Sequence, residues 1–277
     1  MGPQNGSVNS PIRLGPAGLN GGKLCAGSEV HAIAGITAIR WRIAYYSYAG
    51  FHRHFMAASS TYSVSPEKQL LVCCSRTRLD SGRSAKIRRL LAMPLDWDFL
   101  LAEAGSNSVT PLLSRNLCSI ESSMEPRGVP PAQLARLKDH VRAAAIHSLV
   151  LAAELIRILD ALAAAGIQAI PYKGPVLAVQ AYGDIALREF EDIDLVLRQR
   201  DIAAANKELI RLGFTPQFPP IFAPGDRSSM IPGEYDYRET ERQLTVELHT
   251  ERTLRHFPVL ANLDDAANRL VSVSLSG

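Results

Sequence analysis

Two aspartates, Asp192 and Asp194, stand two residues apart in the run Asp192-Ile193-Asp194-Leu195-Val196-Leu197, whose other members are all aliphatic. Aspartate is disfavoured inside strands, so its double appearance in one strand-like run calls for a reason. Side chains alternate between the two faces of a strand, which places both carboxylates on one side with their Cα atoms roughly 6.5 Å apart. Neighbouring anions repel, and a divalent cation between them is the natural compensation; Mg²⁺ favours such oxygen ligands together with substrate phosphates. The plainer alternative is a strand end with two solvated aspartates. A third carboxylate, Glu247, lies in Leu244-Thr245-Val246-Glu247-Leu248-His249, where alternation sets Thr245, Glu247 and His249 against Val246 and Leu248. Two carboxylates on one strand and a third on a neighbour can hold two metal ions about 3.5–4 Å apart. That arrangement stabilises both the attacking and the leaving oxygen of an in-line phosphoryl displacement. The competing reading makes Glu247 a solvent-facing strand residue.

Further upstream, Lys173-Gly174-Pro175 falls at a strand-to-helix turn. Glycine permits close backbone approach, free N–H groups at a helix start suit a phosphate, and Lys173 adds a point charge. An ordinary turn would look the same. Arg188, four residues before Asp192, has the charge to neutralise phosphate or to pair with its acidic neighbours. The remaining candidates read as structural. His140 and His147 are one heptad apart on a helical segment and suit surface or packing roles, while His31, His52 and His54 lie near the N-terminus. Adjacent Cys73 and Cys74 cannot point the same way on a helix, and with Cys25 and Cys118 they form no C-x-x-C pair. That usage predicts ordinary thiols in a reducing, cytoplasmic setting. The sequence contains no Walker loop and no G-x-G-x-x-G.

The elements that must position these residues follow from periodicity. Ser65-Pro66-Glu67 has the form of a helix start, and short helices fit 84–92, 96–104 and 109–117, followed by a polar loop over 119–128. A long helix is expected from Pro131 to a cap at Gly166. Its positions 134, 137, 141, 144, 148, 151, 155, 158 and 162 are apolar at all but Ser148, and Val150, Ile156 and Leu159 form a second apolar edge. After Gly166 strands and helices alternate: strand 167–173, helix 176–182, strand 192–197, helix 201–212 and strand 214–217. A Pro- and Gly-rich loop over 218–233 then leads into a hairpin of 234–238 with 244–249. The fold class expected is α+β, with a helical part (65–165) and a small mixed sheet part (166–277).

Charge and composition narrow the function classes. The chain has 277 residues with 30 basic and 27 acidic side chains. Residues 1–64 carry five of the basic residues, one acid and nine of the nineteen glycines, which leaves 25 basic and 26 acidic residues for the rest. The body is therefore not basic, and no nucleic-acid footprint is expected over it. No run of 18 apolar residues occurs, so no membrane helix is expected. Residues 1–64 lack a clear period; acid-poor and containing Arg and Ser, they fit a transit peptide or, more plainly, a disordered extension or a start assigned too far upstream, and 65–277 is expected to be the folded unit.

Taken together, strand, Lys173-Gly174 turn, short helix, Arg188-x-x-x-Asp192-x-Asp194, helix and a strand ending Glu247-x-His249 resemble the uncharacterised nucleotidyltransferase family of the polymerase-beta-like superfamily. The resemblance runs from about Ser65 to Gly277 and includes Leu95-Asp96-Trp97-Asp98 and Tyr182-Gly183-Asp184. Superfamily members open with Gly-Gly or Gly-Ser; this family uses Lys-Gly. The resemblance implies a nucleotidyltransferase core in which Asp192, Asp194 and Glu247 ligate Mg²⁺ or Mn²⁺. Lys173, Gly174 and Arg188 would meet a nucleoside triphosphate, and His249 would serve the acceptor or support Glu247. The reaction implied moves a nucleoside monophosphate to a hydroxyl of a small-molecule or carbohydrate acceptor. Glu189 and Glu191 stand where the family has a proline and a small residue, and the chain stops short of the family's C-terminal helical region. Those departures keep two alternatives open: a nucleotide- or partner-binding protein without turnover, and a metal-dependent phosphohydrolase.

Overall fold

The computed structural model describes residues 29–33 (backbone only), 64–122, 128–217, 233–250 and 269–275. Cys25, His52, His54 and most of the loop expected over 218–233 lie outside them. Capping chemistry sets the starts of the first helices. Ser65 accepts a hydrogen bond from the Lys68 N–H ahead of α1 (Pro66–Cys74), with Pro66 at the first helical position. Asp80 does the same for α2 (Ser81–Leu91) and Asp96 for α3 (Trp97–Ser106). Helix α4 (Thr110–Glu121) runs past the expected end at 117 and into the expected loop. The reason is Glu121: buried, its Oε1 accepts the N–H groups of Gly128 and Val129 and ties the next segment to the helix end. α1–α4 bury Leu70, Ile87, Leu100, Leu113 and Leu117 in a first core, with the thiols of Cys73 and Cys74 among them.

Helix α5 (Pro131–Ala164) joins this core to a second one. Leu137 packs in the first, and Leu151, Leu155, Ile158 and Leu162 pack in the second. The second apolar edge is only partly used. Ile156 and Leu159 pack against the core, while Val150 is exposed. Gly166, at φ 74°, ends the helix in the left-handed conformation that glycine adopts without penalty. Buried Glu154 accepts from Arg157 and, at 2.9 Å, from Arg242 in the turn between the strands Glu234–Glu239 and Leu244–His249, which fastens α5 to the sheet.

The sheet has five strands: β2 (Ile170–Pro171), β3 (Asp192–Val196), β4 (Thr215–Pro216), β5 (Glu234–Glu239) and β6 (Leu244–His249), in the order β2-β3-β6-β5-β4. Only β3 and β6 are parallel; the other pairs are antiparallel. Strand β2 is far shorter than the expected 167–173. The Ile167 N–H is committed to Leu162 at the helix end, and Pro171 has no N–H to extend a ladder. α6 (Gly174–Leu177) is a single turn that opens into a π turn over 178–182, and α7 (Ile202–Arg211) covers the apolar face of the sheet. This is the expected α+β fold, with seven α-helices and a five-stranded mixed sheet among the described residues.

One element was not expected. Glu29–Ile33 forms β1, which pairs antiparallel with β7 (Leu270–Ser274) from Glu29↔Ser274 to Ile33↔Leu270. Both segments are short with weak alternation, and only their mutual pairing gives either a ladder. No helix among the described residues is long and apolar enough to cross a membrane.

Candidate active site

Register decides which side chains meet. In the β3–β6 pair Asp192 faces Thr245 and Asp194 faces Glu247. In the β5–β6 pair Asp236 faces Glu247 and Glu234 faces His249. Residues opposite one another share a face, so Asp192, Asp194, Glu234, Asp236 and Glu247 gather on one side of the three central strands. The other side carries Ile193, Leu195, Val246, Leu248, Tyr235 and Tyr237 into the core. Alternation that reads as a half-apolar strand is therefore a core face backed by an anionic one.

Asp194 is the centre of the site and only 2% exposed. Its Oδ1 accepts a 2.7 Å hydrogen bond from Lys173 Nζ and lies 3.1 Å from His249 Nε2. Its Oδ2 is buried with no hydrogen-bond partner. Burial works against its charge, but the hydrogen bonds with His249 and Lys173 outweigh that and hold the carboxyl below its ordinary value. His249 shows the converse. Burial disfavours its proton, yet the contacts with Asp194 and Glu247 raise it from 6.5 to about 9. Asp192 is half-buried, and burial followed by repulsion from Asp194 and Glu247 pushes it up. Glu234 and Asp236 are likewise raised, first by burial.

A cation fits this donor set. Asp194, Glu247 and His249 each place a ligand atom within 4.8 Å of the others. The orphaned Oδ2 of Asp194 and the buried, unpartnered Oδ1 of Asp236 both add to an anionic face with few cations of its own. Of the residues expected from sequence, Asp194, Glu247 and His249 converge, while Asp192 lies beside them on the same face but outside the cluster. Lys173 reaches the site through Asp194. Gly174, at φ 50°, brings its backbone so close to β3 that a Cβ there would sit 3.2 Å from the Asp192 carbonyl oxygen. The helix after Gly174 is one α turn, too short to carry much of the dipole expected for a phosphate. Arg188 lies over the Phe190 ring at 5.8 Å, with a buried Nη1 that has no hydrogen-bond partner. Both departures point elsewhere: Glu189 bonds to His140 of α5 at 2.8 Å, and Glu191 is exposed.

A family model described as an uncharacterised nucleotidyltransferase matches residues 93–277. The chain belongs to this family. No curated protein and no solved structure matches it. Family membership makes the chain a transferase. The matched span starts just before α3 and takes in α5 and all of the five-stranded sheet. Sequence reasoning missed Glu234 and Asp236. Their signal was present, since Glu234-Tyr235-Asp236-Tyr237 repeats the acid–apolar alternation of Asp192-Ile193-Asp194-Leu195. Tyr172 was also unassigned; just past the end of β2, its ring meets His249 edge-on at 5.4 Å.

Proposed function

We propose that the protein transfers a nucleoside monophosphate from a nucleoside triphosphate to a hydroxyl of a small-molecule or carbohydrate acceptor, releasing pyrophosphate. The observation that carries this reading is buried Asp194 opposite Glu247 on parallel strands, with one carboxylate oxygen unpartnered in an anionic face. The acceptor oxygen forms a bond to the α-phosphorus and gives up its hydroxyl proton to solvent, while the bond from that phosphorus to the pyrophosphate oxygen breaks. Asp192, Asp194 and Glu247 would hold the divalent cation, Mg²⁺ or Mn²⁺, which when bound neutralises charge on the phosphates and on the attacking and leaving oxygens.

The rest of the work is positioning, because phosphoryl-type transfer leaves the protein little covalent chemistry to do. Lys173 and Arg188 supply positive charge to the triphosphate, and the unpartnered Nη1 of Arg188 supports that assignment. Gly174 lets the turn lie against the start of β3, where a Cβ would meet the Asp192 carbonyl oxygen, and so brings Lys173 and the turn's backbone to the triphosphate. His249 stands beside Asp194 and Glu247, with the Tyr172 ring packed edge-on against it. Residues 65–165 serve as a helical platform and 166–277 as the catalytic part. Glu189 and Glu191 do not crowd Asp194, which favours turnover over a purely binding role.

The test follows a label on the α-phosphate of each nucleoside triphosphate, with Mg²⁺ or Mn²⁺ and a panel of sugars and small hydroxyl compounds. Transfer of label to an acceptor is the expected result. Label released as free nucleotide supports the phosphohydrolase instead, and label bound but intact supports the binding protein. Thermal melts identify the nucleotide first, since a ligand at 100 times its Kd stabilises by about 2.7 kcal/mol.

A further inference from the structure

His249 is 3% exposed, and both of its ring nitrogens face carboxylates. Nε2 lies 3.1 Å from Asp194 Oδ1 and 3.4 Å from Glu247 Oε2. Nδ1 is buried without a hydrogen-bond partner, and the nearest acidic oxygen is Oε2 of Glu234 at 3.6 Å. We propose that His249 is a metal ligand, completing with Asp194 and Glu247 a one-histidine, two-carboxylate site whose imidazole is positioned by Glu234. The ion it takes is of the first-row transition series, such as Mn²⁺ or Zn²⁺, in preference to Mg²⁺.

Three features carry this assignment. The donor atoms of Asp194, Glu247 and His249 lie within 4.8 Å of one another, close enough to share one ion, and Asp192 is not in the group. Register makes Glu234 the residue directly across from His249. A histidine that ligates through one nitrogen almost always gives its other N–H to a carboxylate or carbonyl, which sets the tautomer and the ring's direction. Glu234 is the carboxylate placed for that at Nδ1, leaving Nε2 to exchange its contact with Asp194 for coordination. Finally, imidazole favours transition-metal ions over Mg²⁺, which prefers carboxylate, carbonyl and water oxygens. One nitrogen in the set therefore biases the choice of ion. Glu234 is a positioning residue here, since it reaches the ion only through His249.

The inference rests on the metal-binding reading of the proposed function, and the test separates the two. The full chain is titrated with MnCl₂, the bound ion is examined by pulsed electron paramagnetic resonance, and MgCl₂ is used as competitor. The expected result is nitrogen coupling from one imidazole, with Mg²⁺ displacing Mn²⁺ only in large excess. His249→Gln should remove the coupling and weaken Mn²⁺ binding by about tenfold or more, with Mg²⁺ binding little changed. Glu234→Gln should keep the coupling and weaken Mn²⁺ by roughly tenfold. Mn²⁺ bound without nitrogen coupling, and lost in Asp194→Asn, overturns the histidine ligand and leaves the carboxylate site standing. If neither ion binds the wild-type chain, both readings fall. The coupling is read on the wild type, so a variant that fails to fold does not remove the test.

Discussion

Each carboxylate of the acidic face has its own surroundings, and so its own expected phenotype. Asp192→Asn keeps the shape and removes a charge that burial and Asp194 already oppose. The apo protein should melt at the same temperature or slightly higher, while nucleotide-dependent stabilisation with Mg²⁺ disappears. Glu247→Gln removes a group that matters when charge develops on the attacking oxygen. Triphosphate affinity should stay near wild type while transfer falls by at least about a hundredfold. Equal turnover in wild type and Glu247→Gln would return Glu247 to the role of a plain strand residue. His249 sets a pH dependence in chelator-treated protein. Its proton is held more tightly in the folded state, at about 9 against 6.5. Its contribution is thus complete below pH 6.5 and is lost as pH rises through 9. Melting temperature should fall across that window in the wild type and much less in His249→Gln.

Among the elements, the Lys173–Gly174 turn and the strand pair β1–β7 make the sharpest claims. Gly174→Ala puts a Cβ on a residue at φ 50° and 3.2 Å from the Asp192 carbonyl oxygen. The left-handed backbone alone costs about 1–2 kcal/mol for a residue with a Cβ. The close contact also pushes on the start of β3, so nucleotide binding should weaken beyond the loss in stability. Calorimetric melts with and without nucleotide separate the two effects. For the N-terminal segment, Glu29–Ile33 is the strand partner of β7. A chain beginning at Ser65 should therefore show faster amide hydrogen exchange at 270–274 and unchanged protection in β3 and β6. Loss of protection in β3 or β6 would make residues 1–64 integral to the catalytic part.

At the scale of the whole molecule, α5 is the only described helix that enters both cores. Leu137 belongs to one and Leu151 to the other, about four turns apart at 3.6 residues per turn. The two cores should consequently unfold together. Ala143 is exposed between them, so Ala143→Pro breaks the helix without touching either core, at about 3 kcal/mol or more. A single wild-type transition should become two in that variant. One unchanged transition would show that the cores are coupled through other contacts. The His140–Glu189 bond also runs from α5 to the segment before β3, so the same break should lower nucleotide affinity.

Local chemistry settled much of this in advance. Ser65, Pro66, Asp96 and Gly166 mark helix ends because capping and left-handed turns depend on a few neighbouring residues. The Asp192-x-Asp194 alternation, the apolar stripe of α5 and the Glu247–His249 face are set by the periods of strand and helix, so they were legible in the chain itself. What the sequence could not decide is which strands become neighbours. The parallel pairing of β3 with β6 sets Asp194 opposite Glu247, and the β5–β6 register brings in Glu234 and Asp236. Pairing of β1 with β7 joins segments more than 230 residues apart, where no local pattern records the partner. Burial belongs to the same class. Asp194 is sealed, and the proton of His249 is held up to about 9, only because Lys173, Tyr172 and two further strands close around them. Period and propensity act over a turn or a strand, whereas electrostatics and coordination depend on distances that only the packed sheet creates.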